Sequence, residues 1–501
     1  MSTAKKFAGQ TAVYGLSTIA GRVLSFFLTP VYTRAYSAKV YGIFGNLYSY
    51  ASMLNALLAF GMETTFFRYL NKRPDDKQLV YNNSFGAILS ISAVFLLLTF
   101  PFAGLITGWI RIDSSTPFAE YILYTKYFIG ILIIDALCVI PFAKIRAEGR
   151  PGRYGLVKFL NIVIFVGLNL MFIYGLPLVI KHNLPGTAWL NTWYQKGWLG
   201  YVFLSNLIAS VATMLMLLPE FLKLRPKFSR ELFVEMLVYS WPVLIANFSY
   251  LVNENLDKIL LGKLLPVNES ATQVGIYTAC AKISIFLSIF VNAFRLGAEP
   301  FFFSHAKNKN ATQTYARIMN YFVIAVCLIF VALVANIEIL KFFIKGKDAA
   351  QAAVYWSGIK VIPVLLFGYV SLGIYMNLSV WYKLTDQTKY GLYISGVGAL
   401  VTIVLNVIFI PSYGYIASAW ISLTAYSSMM VLSYIWGQKN YPIPYNLKKN
   451  LAYIIISAVL VYLSFSVFKR NIFIGNGLLI LFGLGALYTE RNELKTIFNR
   501  Q

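Results

Sequence analysis

Long apolar runs separated by short polar loops recur along the whole sequence. A helix that crosses a bilayer needs roughly 20 mostly apolar residues, and about fourteen such runs can be marked. The predicted spans lie near residues 11–32, 42–64, 82–106, 119–142, 156–179, 198–219, 234–252, 274–300, 317–344, 357–380, 391–410, 415–436, 451–468 and 473–488. The far end of the seventh span is ambiguous because charged residues interrupt NENLDKILLGKLLP. The pattern predicts an all-α polytopic membrane protein.

Composition agrees with the bilayer as the solvent of this chain. Hydrophobic residues make up 58% of the sequence and charged residues only 12%, whereas a soluble domain carries about 25% charged residues. The formal net charge of +24 would suggest nucleic acid for a soluble protein with a basic face. Here the lysines and arginines lie in short loops between apolar runs, so membrane topology explains them and we expect no nucleic-acid partner.

Loop charge predicts the orientation in the membrane. With a cytoplasmic N-terminus, the loops on the cytoplasmic side carry about twice as many lysines and arginines as the opposite loops, as the positive-inside rule requires. We therefore expect both termini to be cytoplasmic. The first apolar run is too long for a typical signal-peptide core and is predicted to be a retained helix.

The second and eighth predicted spans end with similar sequences, FGMETTFFRYLNK near residue 60 and LGAEPFFFSHAKNK near residue 296. The similarity extends upstream, where VYGIF at 40–44 resembles VGIYTACAK at 274–282. Six spans separate the copies, so the two halves insert in the same orientation and form two pseudo-symmetric six-helix bundles, a plan found in many transporters. The predicted domains are an N-terminal bundle at 1–222, a C-terminal bundle at 223–440, and a final helix pair with its tail at 441–501.

Charged residues inside apolar spans are costly and usually face a cavity or a partner helix. The candidate site residues chosen on this ground are Arg22, Glu63, Lys126, Asp135, Lys282, Arg295 and Glu299. Arg22 lies near the middle of the first span, where it is either part of a structural salt bridge or a ligand for an anion. The excess of cations among these residues favours an anionic substrate, and the candidate substrate ligands are Arg22, Lys126, Lys282 and Arg295.

The carboxylates are candidates for ion coupling or gating, each with a structural alternative. Asp135 could bind a coupling proton or cation, or it could pair with a neighbouring helix. Glu299 stands four residues after Arg295, close enough to pair on one helix face. Glu63 lies near Arg68 and Lys72, so an interfacial ion pair is the alternative to a gate.

The sequence offers no catalytic apparatus. It contains no GxxxxGK[ST] nucleotide motif, no CxxC spacing among its three cysteines and only two histidines, so we expect no cofactor and no metal site. The longest predicted outside loop, KHNLPGTAWLNTWYQKG, is short, whereas membrane glycan polymerases and ligases carry a large loop for their chemistry. The protein is therefore predicted not to be an enzyme.

Three stretches resemble a known group of membrane transporters: GLSTIAGRVLSFFLTPVYTRAYSAKVYGIF near the start, DKILLG at Asp257–Gly262 followed by VGIYTACAKIS, and PSYGYIASAWIS at 411–422. The group is the polysaccharide-export (oligosaccharide flippase) branch of the multidrug/oligosaccharidyl-lipid/polysaccharide transporter superfamily. The resemblance implies a flippase of the bacterial inner membrane for polysaccharide or lipopolysaccharide biosynthesis. Its cargo would be an oligosaccharide linked to undecaprenyl pyrophosphate, with membrane lipids and a glycan polymerase as candidate partners.

Two other functions remain open within the same superfamily. A lipid II flippase for peptidoglycan also has fourteen spans and cavity arginines, and is the nearest alternative. A multidrug exporter usually has twelve spans and a mostly acidic or neutral cavity, so the last two spans and Arg22 argue against it. A membrane glycan polymerase, which belongs to another class, is disfavoured by the short loops.

Overall fold

The structure is a computed structural model that describes residues 26–225, 227–306 and 308–498, without the side chains of residues 246, 247, 300 and 492–498. All regular structure within these ranges is helical, which confirms the predicted all-α fold. Ten helices in the described ranges are long and apolar enough to cross a membrane, or eleven if one bent pair counts as a span. The protein is therefore a multi-pass membrane protein, while the number fourteen and the side of the termini stay predictions.

The chain divides into two compact units, residues 1–275 (the first unit) and residues 276–501 (the second unit). Residues 26–35 are helical. The helices that follow in the first unit are α1 Ala38–Ala59, α2 Met62–Lys72, α3 Lys77–Thr99, α4 Ala103–Ile110, α5 Phe118–Ala147, α6 Pro151–Leu170, α7 Leu176–Lys181, α8 Thr187–Trp193, α9 Gly200–Met216, α10 Leu218–Phe221 and α11 Arg230–Leu264. A π-helical turn at Met171–Gly175 makes α6 and α7 one continuous span.

Helix α12, Val267–His305, begins in the first unit and continues into the second. The helices after it are α13 Ala311–Ala335, α14 Ile337–Leu340, α15 Ala349–Trp356, α16 Ile362–Leu378, α17 Val380–Leu384, α18 Lys389–Tyr413, α19 Tyr415–Asn440, α20 Leu447–Tyr462 and α21 Ile472–Phe498. Short 3₁₀ turns at Lys341–Ile344 and Ile359–Val361 join the pieces between α14 and α16, and a π-helical turn at Leu463–Val467 ends α20.

The seventh predicted span is longer than expected. Helix α11 continues to Leu264, through the polar stretch that made its far end ambiguous. It bends by 43° between Arg230–Ile245 and Phe248–Leu264. Pro242 lies inside the helix shortly before the bend and lacks the N–H that a continuous helix would donate. A proline is one of the few regular causes of such a kink.

Helix α5 is the centre of the first unit and packs against α1, α3 and α9, while α9 also packs on α6. Helix α11 lies along α1 and α2. The buried core between these helices includes Phe66, Ile88, Leu132, Ile140 and Met236. The packing holds α5 and α9 face to face, which matters below because both helices carry polar residues on the facing sides.

A close helix crossing joins α1 to the first turns of α12 within the first unit. A Cβ atom placed on Gly42 would lie 1.7 Å from the carbonyl oxygen of Ala271, and a Cβ on Gly275 would lie 1.8 Å from that of Ala38. The contact is reciprocal, and the two glycines belong to the two copies of the sequence repeat noted at 40–44 and 274–282. Only glycine permits such a backbone approach.

A salt bridge connects the loop between α4 and α5 to the start of α1. The Asp113 carboxylate lies 2.7 Å from the Lys39 ammonium and accepts hydrogen bonds from the backbone N–H and hydroxyl groups of Ser115 and Thr116. Burial alone would raise the pKa of Asp113, but the hydrogen bonds from Lys39, Thr116 and Ser115 outweigh it and hold the pKa well below its ordinary value. The loop is therefore fixed by an ionised carboxylate.

The second unit repeats the order of helix contacts of the first. In the first unit α3 packs on α5, α5 on α9, and α6 on α9; in the second α13 packs on α16, α16 on α19, and α18 on α19. Helices α20 and α21 both pack on α13. The side-chain amides of Asn336 and Asn476 exchange two hydrogen bonds of 3.1 Å at the end of that contact. These parallels are what a parallel repeat predicts, and the domain boundaries at 222 and 440 remain a prediction.

Candidate functional site

A polar cavity of about 290 Å³ lies inside the first unit, between α5, α6 and α9. Each helix presents polar residues at intervals of three or four, which places them on one face. Helix α9 contributes Asn206, Ser210 and Thr213, and α6 contributes Lys158 and Asn161. The same spacing puts Asp135, Cys138 and Phe142 of α5 on the opposite wall. The cavity is thus assembled from polar stripes on otherwise apolar helices.

Asp135 and Lys158 are two of the charged residues that line the cavity, and both are half-buried. The Ser210 hydroxyl donates to the Asp135 carboxylate. The Lys158 ammonium lies 4.1 Å from the centre of the Phe142 ring. No ion pair within 4.0 Å joins Asp135 to Lys158 in the part of the chain that the structure describes. The Asp135 carboxylate therefore faces open cavity space with a lysine nearby.

Uncharged groups complete the wall. The Asn161 amide donates to the Thr213 hydroxyl at 2.9 Å and to the carbonyl of Ala209 at 3.1 Å. The Asn206 amide donates to the Tyr48 hydroxyl at 2.9 Å. These hydrogen bonds lock α6 to α9 and α9 to α1, so the donors and acceptors around Asp135 are held in fixed positions.

An ion pair between Glu63 and Arg146 lies at the edge of this cavity. Glu63 is in the first turn of α2 and Arg146 is in the last turn of α5. Both side chains are partly exposed, at 45% and 36% respectively, so water reaches the pair and its stabilising effect is small. The pair links two helices at one end of the cavity.

The second unit contains a matching pair. Glu299 of α12 binds Lys383 of α17 at 2.7 Å, and the two residues are 84 positions apart, against 83 for Arg146 and Glu63. Glu63 and Glu299 are the matched residues of the repeat. Arg295, the partner suggested for Glu299 by sequence spacing, lines a small cavity beside Glu299 and Lys383, and Lys383 is the basic residue that pairs with Glu299 in the described chain.

Two further candidates, Lys126 and Lys282, lie elsewhere. Lys126 is exposed on α5, with its ammonium 5.6 Å from the centre of the Phe100 ring. Lys282 is half-buried on α12 in the second unit. Arg22 lies outside the described residues. The structure thus brings Asp135 and Glu63 together at one cavity, brings Arg295 and Glu299 together at another, and leaves Lys126 apart from both.

Sequence reasoning missed Lys158, Arg146 and Lys383. Lys158 stands at the very start of the span predicted near 156–179 and Arg146 just beyond the span predicted near 119–142, but α6 begins at Pro151, so Lys158 lies about two turns inside the helix. Proline at the first position of a helix was the signal that could have moved this boundary. The partners of Arg146 and Lys383 lie on other helices, a relation that spacing along one helix does not reveal.

The cavity can hold a proton or a small cation at Asp135. A carboxylate with a hydroxyl donor and amide oxygens nearby supplies the oxygen ligands that hard monovalent and divalent cations prefer. The described residues contain no group of three or more His, Cys, Asp or Glu side chains arranged to hold a metal ion. A single carboxylate beside a lysine is instead suited to reversible protonation or weak cation binding.

A charged cavity inside a bundle of membrane-spanning helices is typical of transporters, where intramembrane ionisable residues mark ion or substrate pathways. Comparison with known proteins identifies the fold of this chain. Residues 242–408 match the MatE family. A search of curated protein sequences finds no significant match.

Solved structures share the fold over most of the chain. The lipid II flippase MurJ, in an inward closed conformation, is 13% identical with a TM-score of 0.74, and the match covers 96% of this chain and 100% of that one. An inward-facing multidrug resistance MATE family transporter of the MOP superfamily is 14% identical with a TM-score of 0.63, over 83% and 93% of the two chains. A MOP superfamily transporter from Pyrococcus furiosus is 14% identical with a TM-score of 0.61, over 86% and 95%. The fold of this protein is therefore that of MurJ and the MATE transporters.

Proposed function

We propose that this protein is a flippase of the multidrug/oligosaccharidyl-lipid/polysaccharide superfamily. It moves undecaprenyl-pyrophosphate-linked oligosaccharide across the bacterial inner membrane by alternating access, for polysaccharide or lipopolysaccharide biosynthesis. The main support is the fold match with a lipid-linked-cargo flippase that spans both chains almost completely. The match with the multidrug resistance MATE family transporter covers only 83% of this chain. A carrier for a lipid-linked cargo accounts better for the full length, including α20 and α21.

The cargo head group explains the positive residues. A pyrophosphate carries several negative charges, which a site in a low-dielectric membrane can bind only with matched cations. The proposed ligands are Arg22, Lys126, Lys282 and Arg295. Arg22 is the first of these, because a guanidinium stays protonated when buried and offers paired donors that fit phosphate oxygens. The exposed position of Lys126 makes it the weakest member of the set.

Asp135 is proposed to couple transport to a proton or cation. Its carboxylate faces a cavity, has one hydroxyl donor and lies near Lys158 without a salt bridge in the described chain. Protonation or cation binding there would change the charge between α5 and α6 by one unit. Glu63 and Glu299 are proposed to act at the ends of their helices, where each makes its own ion pair.

Lipid II is the second candidate cargo, because the same fold match is to a lipid II flippase. The two cargoes share the undecaprenyl-pyrophosphate anchor and differ in the sugar. Deletion of the gene in its own host separates them. Loss of a surface polysaccharide with normal growth supports the proposed cargo, whereas lysis with accumulation of lipid II precursors supports peptidoglycan synthesis.

Complementation of that deletion tests the proposed ligand Arg22. Arg22→Ala should abolish glycan export while the protein accumulates normally, and Arg22→Lys should give partial export because it keeps the charge but loses the paired donors. The control is Arg34→Ala, which removes an exposed arginine twelve residues after Arg22 in the sequence. This variant should export glycan normally. Normal export by Arg22→Ala at normal protein levels would remove Arg22 from the site. Loss of the protein itself would favour the structural salt bridge.

A further inference from the structure

A second and larger cavity, of about 850 Å³, opens at one end of the first unit. It lies where the loops between α2 and α3, between α5 and α6, and after α10 meet. It shares no lining residue with the cavity at Asp135. The membrane orientation predicted from loop charge places these loops on the cytoplasmic side, because they are among the most basic in the chain.

The cavity is lined by an excess of positive charge. Among the described residues, its basic lining residues are Lys77, Lys144, Lys223 and Arg225, and its only acidic lining residue is Glu148. Glu148 is bound by Arg150, which lies outside the lining. Lys223 lies 3.2 Å from Glu220. Within the described ranges, no salt bridge reaches Lys77, Lys144 or Arg225, so three of the four basic lining residues are not bound directly to a carboxylate.

Glu220 does not supply the missing negative charge. Its side chain is fully buried and binds Arg150 at 2.8 Å and Arg153 at 3.4 Å in addition to Lys223. Burial alone would raise the pKa of Glu220, but the hydrogen bonds from Arg150 and Lys223 outweigh it and the pKa lies below its ordinary value. Glu220 is therefore ionised and already surrounded by three cations.

The ring of Tyr81 positions one of these cations, Lys144. The Lys144 ammonium lies 3.9 Å from the centre of the Tyr81 ring, a position in which the ring face attracts it. Tyr81 is itself buried and fixed by a 2.9 Å hydrogen bond from its hydroxyl to the carbonyl of Glu220. The Tyr81 ring thus places the Lys144 ammonium at the cavity wall.

Exposed apolar side chains at and after the cavity in the chain favour a lipid over a soluble anion. Leu222, which lines the cavity, is 76% exposed, and Phe228, six residues further along the chain and outside the lining, is 58% exposed. They alternate along the chain with Lys223, Arg225 and Lys227. Exposed apolar side chains next to basic ones are the arrangement expected at a membrane surface, where acyl chains meet head groups.

We infer that this cavity binds the phosphate head group of an anionic membrane lipid. Lys144 and Arg225 contact the phosphate, Lys77 adds to the positive field, and Leu222 and Phe228 contact the first part of the acyl chains. Basic pockets among membrane helices on the cytoplasmic side commonly bind such head groups. The inference is independent of the proposed cargo, because it concerns a different cavity.

The test measures lipid binding to the purified protein in a neutral detergent by native mass spectrometry. The probes are phosphatidylglycerol, phosphatidylcholine and inorganic pyrophosphate. The test variant is Lys144→Gln with Arg225→Gln. The matched control is Lys439→Gln with Lys448→Gln, which removes two exposed cations of the second unit. The single variant Lys77→Gln, at an exposed helix start, provides a further test should the double variant fail to fold.

Wild-type protein should bind phosphatidylglycerol more tightly than phosphatidylcholine. Each removed cation should weaken that binding about fivefold, so the test variant should lose roughly 25-fold and Lys77→Gln roughly fivefold, while the control pair stays within twofold of wild type. Equal binding of the two lipids, or undiminished binding by the test variant, would overturn the inference. Inorganic pyrophosphate binding as tightly as phosphatidylglycerol would also overturn it, since the site would then take a soluble anion.

Discussion

Replacing Gly42 by alanine should destabilise the protein, because α1 and α12 cross there with almost no space between their backbones. The added Cβ would lie 1.7 Å from the Ala271 carbonyl oxygen, whereas ordinary contacts begin at 3.4 Å. The obstacle is backbone, which cannot rotate away as the end of a side chain can. The helices would have to separate by about 1.7 Å along that line.

The expected cost follows from two opposing effects. Overpacking of this kind costs about 1–3 kcal/mol, and a rigid backbone obstacle places Gly42→Ala near the upper limit. Alanine in a helix gains about 1 kcal/mol over glycine. The net destabilisation should therefore be about 2 kcal/mol. Gly275→Ala should cost about the same, because its Cβ would lie 1.8 Å from the Ala38 carbonyl oxygen. The double variant should cost less than the sum, since one separation relieves both contacts.

Thermal unfolding in a mild detergent measures this effect. A thiol-reactive fluorophore reports unfolding, because all three cysteines are buried in the folded protein. The control is Gly167→Ala in α6, where an added Cβ meets nothing within 4 Å and alanine should be neutral or stabilising. A Gly42→Ala protein that unfolds at the same temperature as Gly167→Ala would refute the close crossing.

The remaining predictions concern charged groups. Asp135→Asn should fold normally but lose any dependence of transport on proton or sodium gradients, because the amide keeps the size of the carboxylate without its charge; unchanged dependence would exclude Asp135 from coupling. Glu63→Arg should lower the unfolding temperature slightly by placing two arginines together, and adding Arg146→Glu should restore it, with a pair energy of about 0.2–1 kcal/mol; failure of the exchange to restore stability would show that the pair is not formed. Asp113→Asn should destabilise the protein at pH 7 by about 1–3 kcal/mol through its lost charged hydrogen bonds. Because the folded pKa of Asp113 lies below its ordinary value of 3.8, the stabilisation by the carboxylate is complete above that pH and falls as pH decreases further. Thermal unfolding of wild type and Asp113→Asn from pH 7 to pH 3 should therefore show a gap that narrows only at the acidic end, and a gap that narrows above pH 5 would contradict this assignment.

Much of the fold could be predicted from hydropathy alone. The membrane forces backbone hydrogen bonds to be made within each segment, so a run of about 20 apolar residues is nearly sufficient to predict a helix. The boundaries were less predictable. Helix α11 continues to Leu264, through charged residues that seemed to end the span. Helix α6 begins at Pro151, several residues before the apolar run.

The site was predicted in part. Asp135 and Glu63 were selected because charges in apolar spans are rare, and both line the same cavity. Their neighbours were not predictable, because Lys158 and Arg146 reach the cavity from other positions in the packed bundle. Glu63 illustrates the difficulty: Lys72, near it in sequence, binds Glu235 instead. Spacing predicts contacts along one helix, whereas contacts between helices depend on how the helices pack.

The most direct test of the central claim is a flipping assay with purified protein in liposomes. The cargo is undecaprenyl-pyrophosphate-linked oligosaccharide with a fluorophore on the sugar, and a membrane-impermeant reductant quenches only the fluorophores in the outer leaflet. We predict that the wild-type protein makes nearly all of the labelled cargo accessible to the reductant, and that lipid II labelled in the same way is moved much more slowly. Quenching no greater than in protein-free liposomes, or faster movement of lipid II than of the oligosaccharide cargo, would contradict the proposed function.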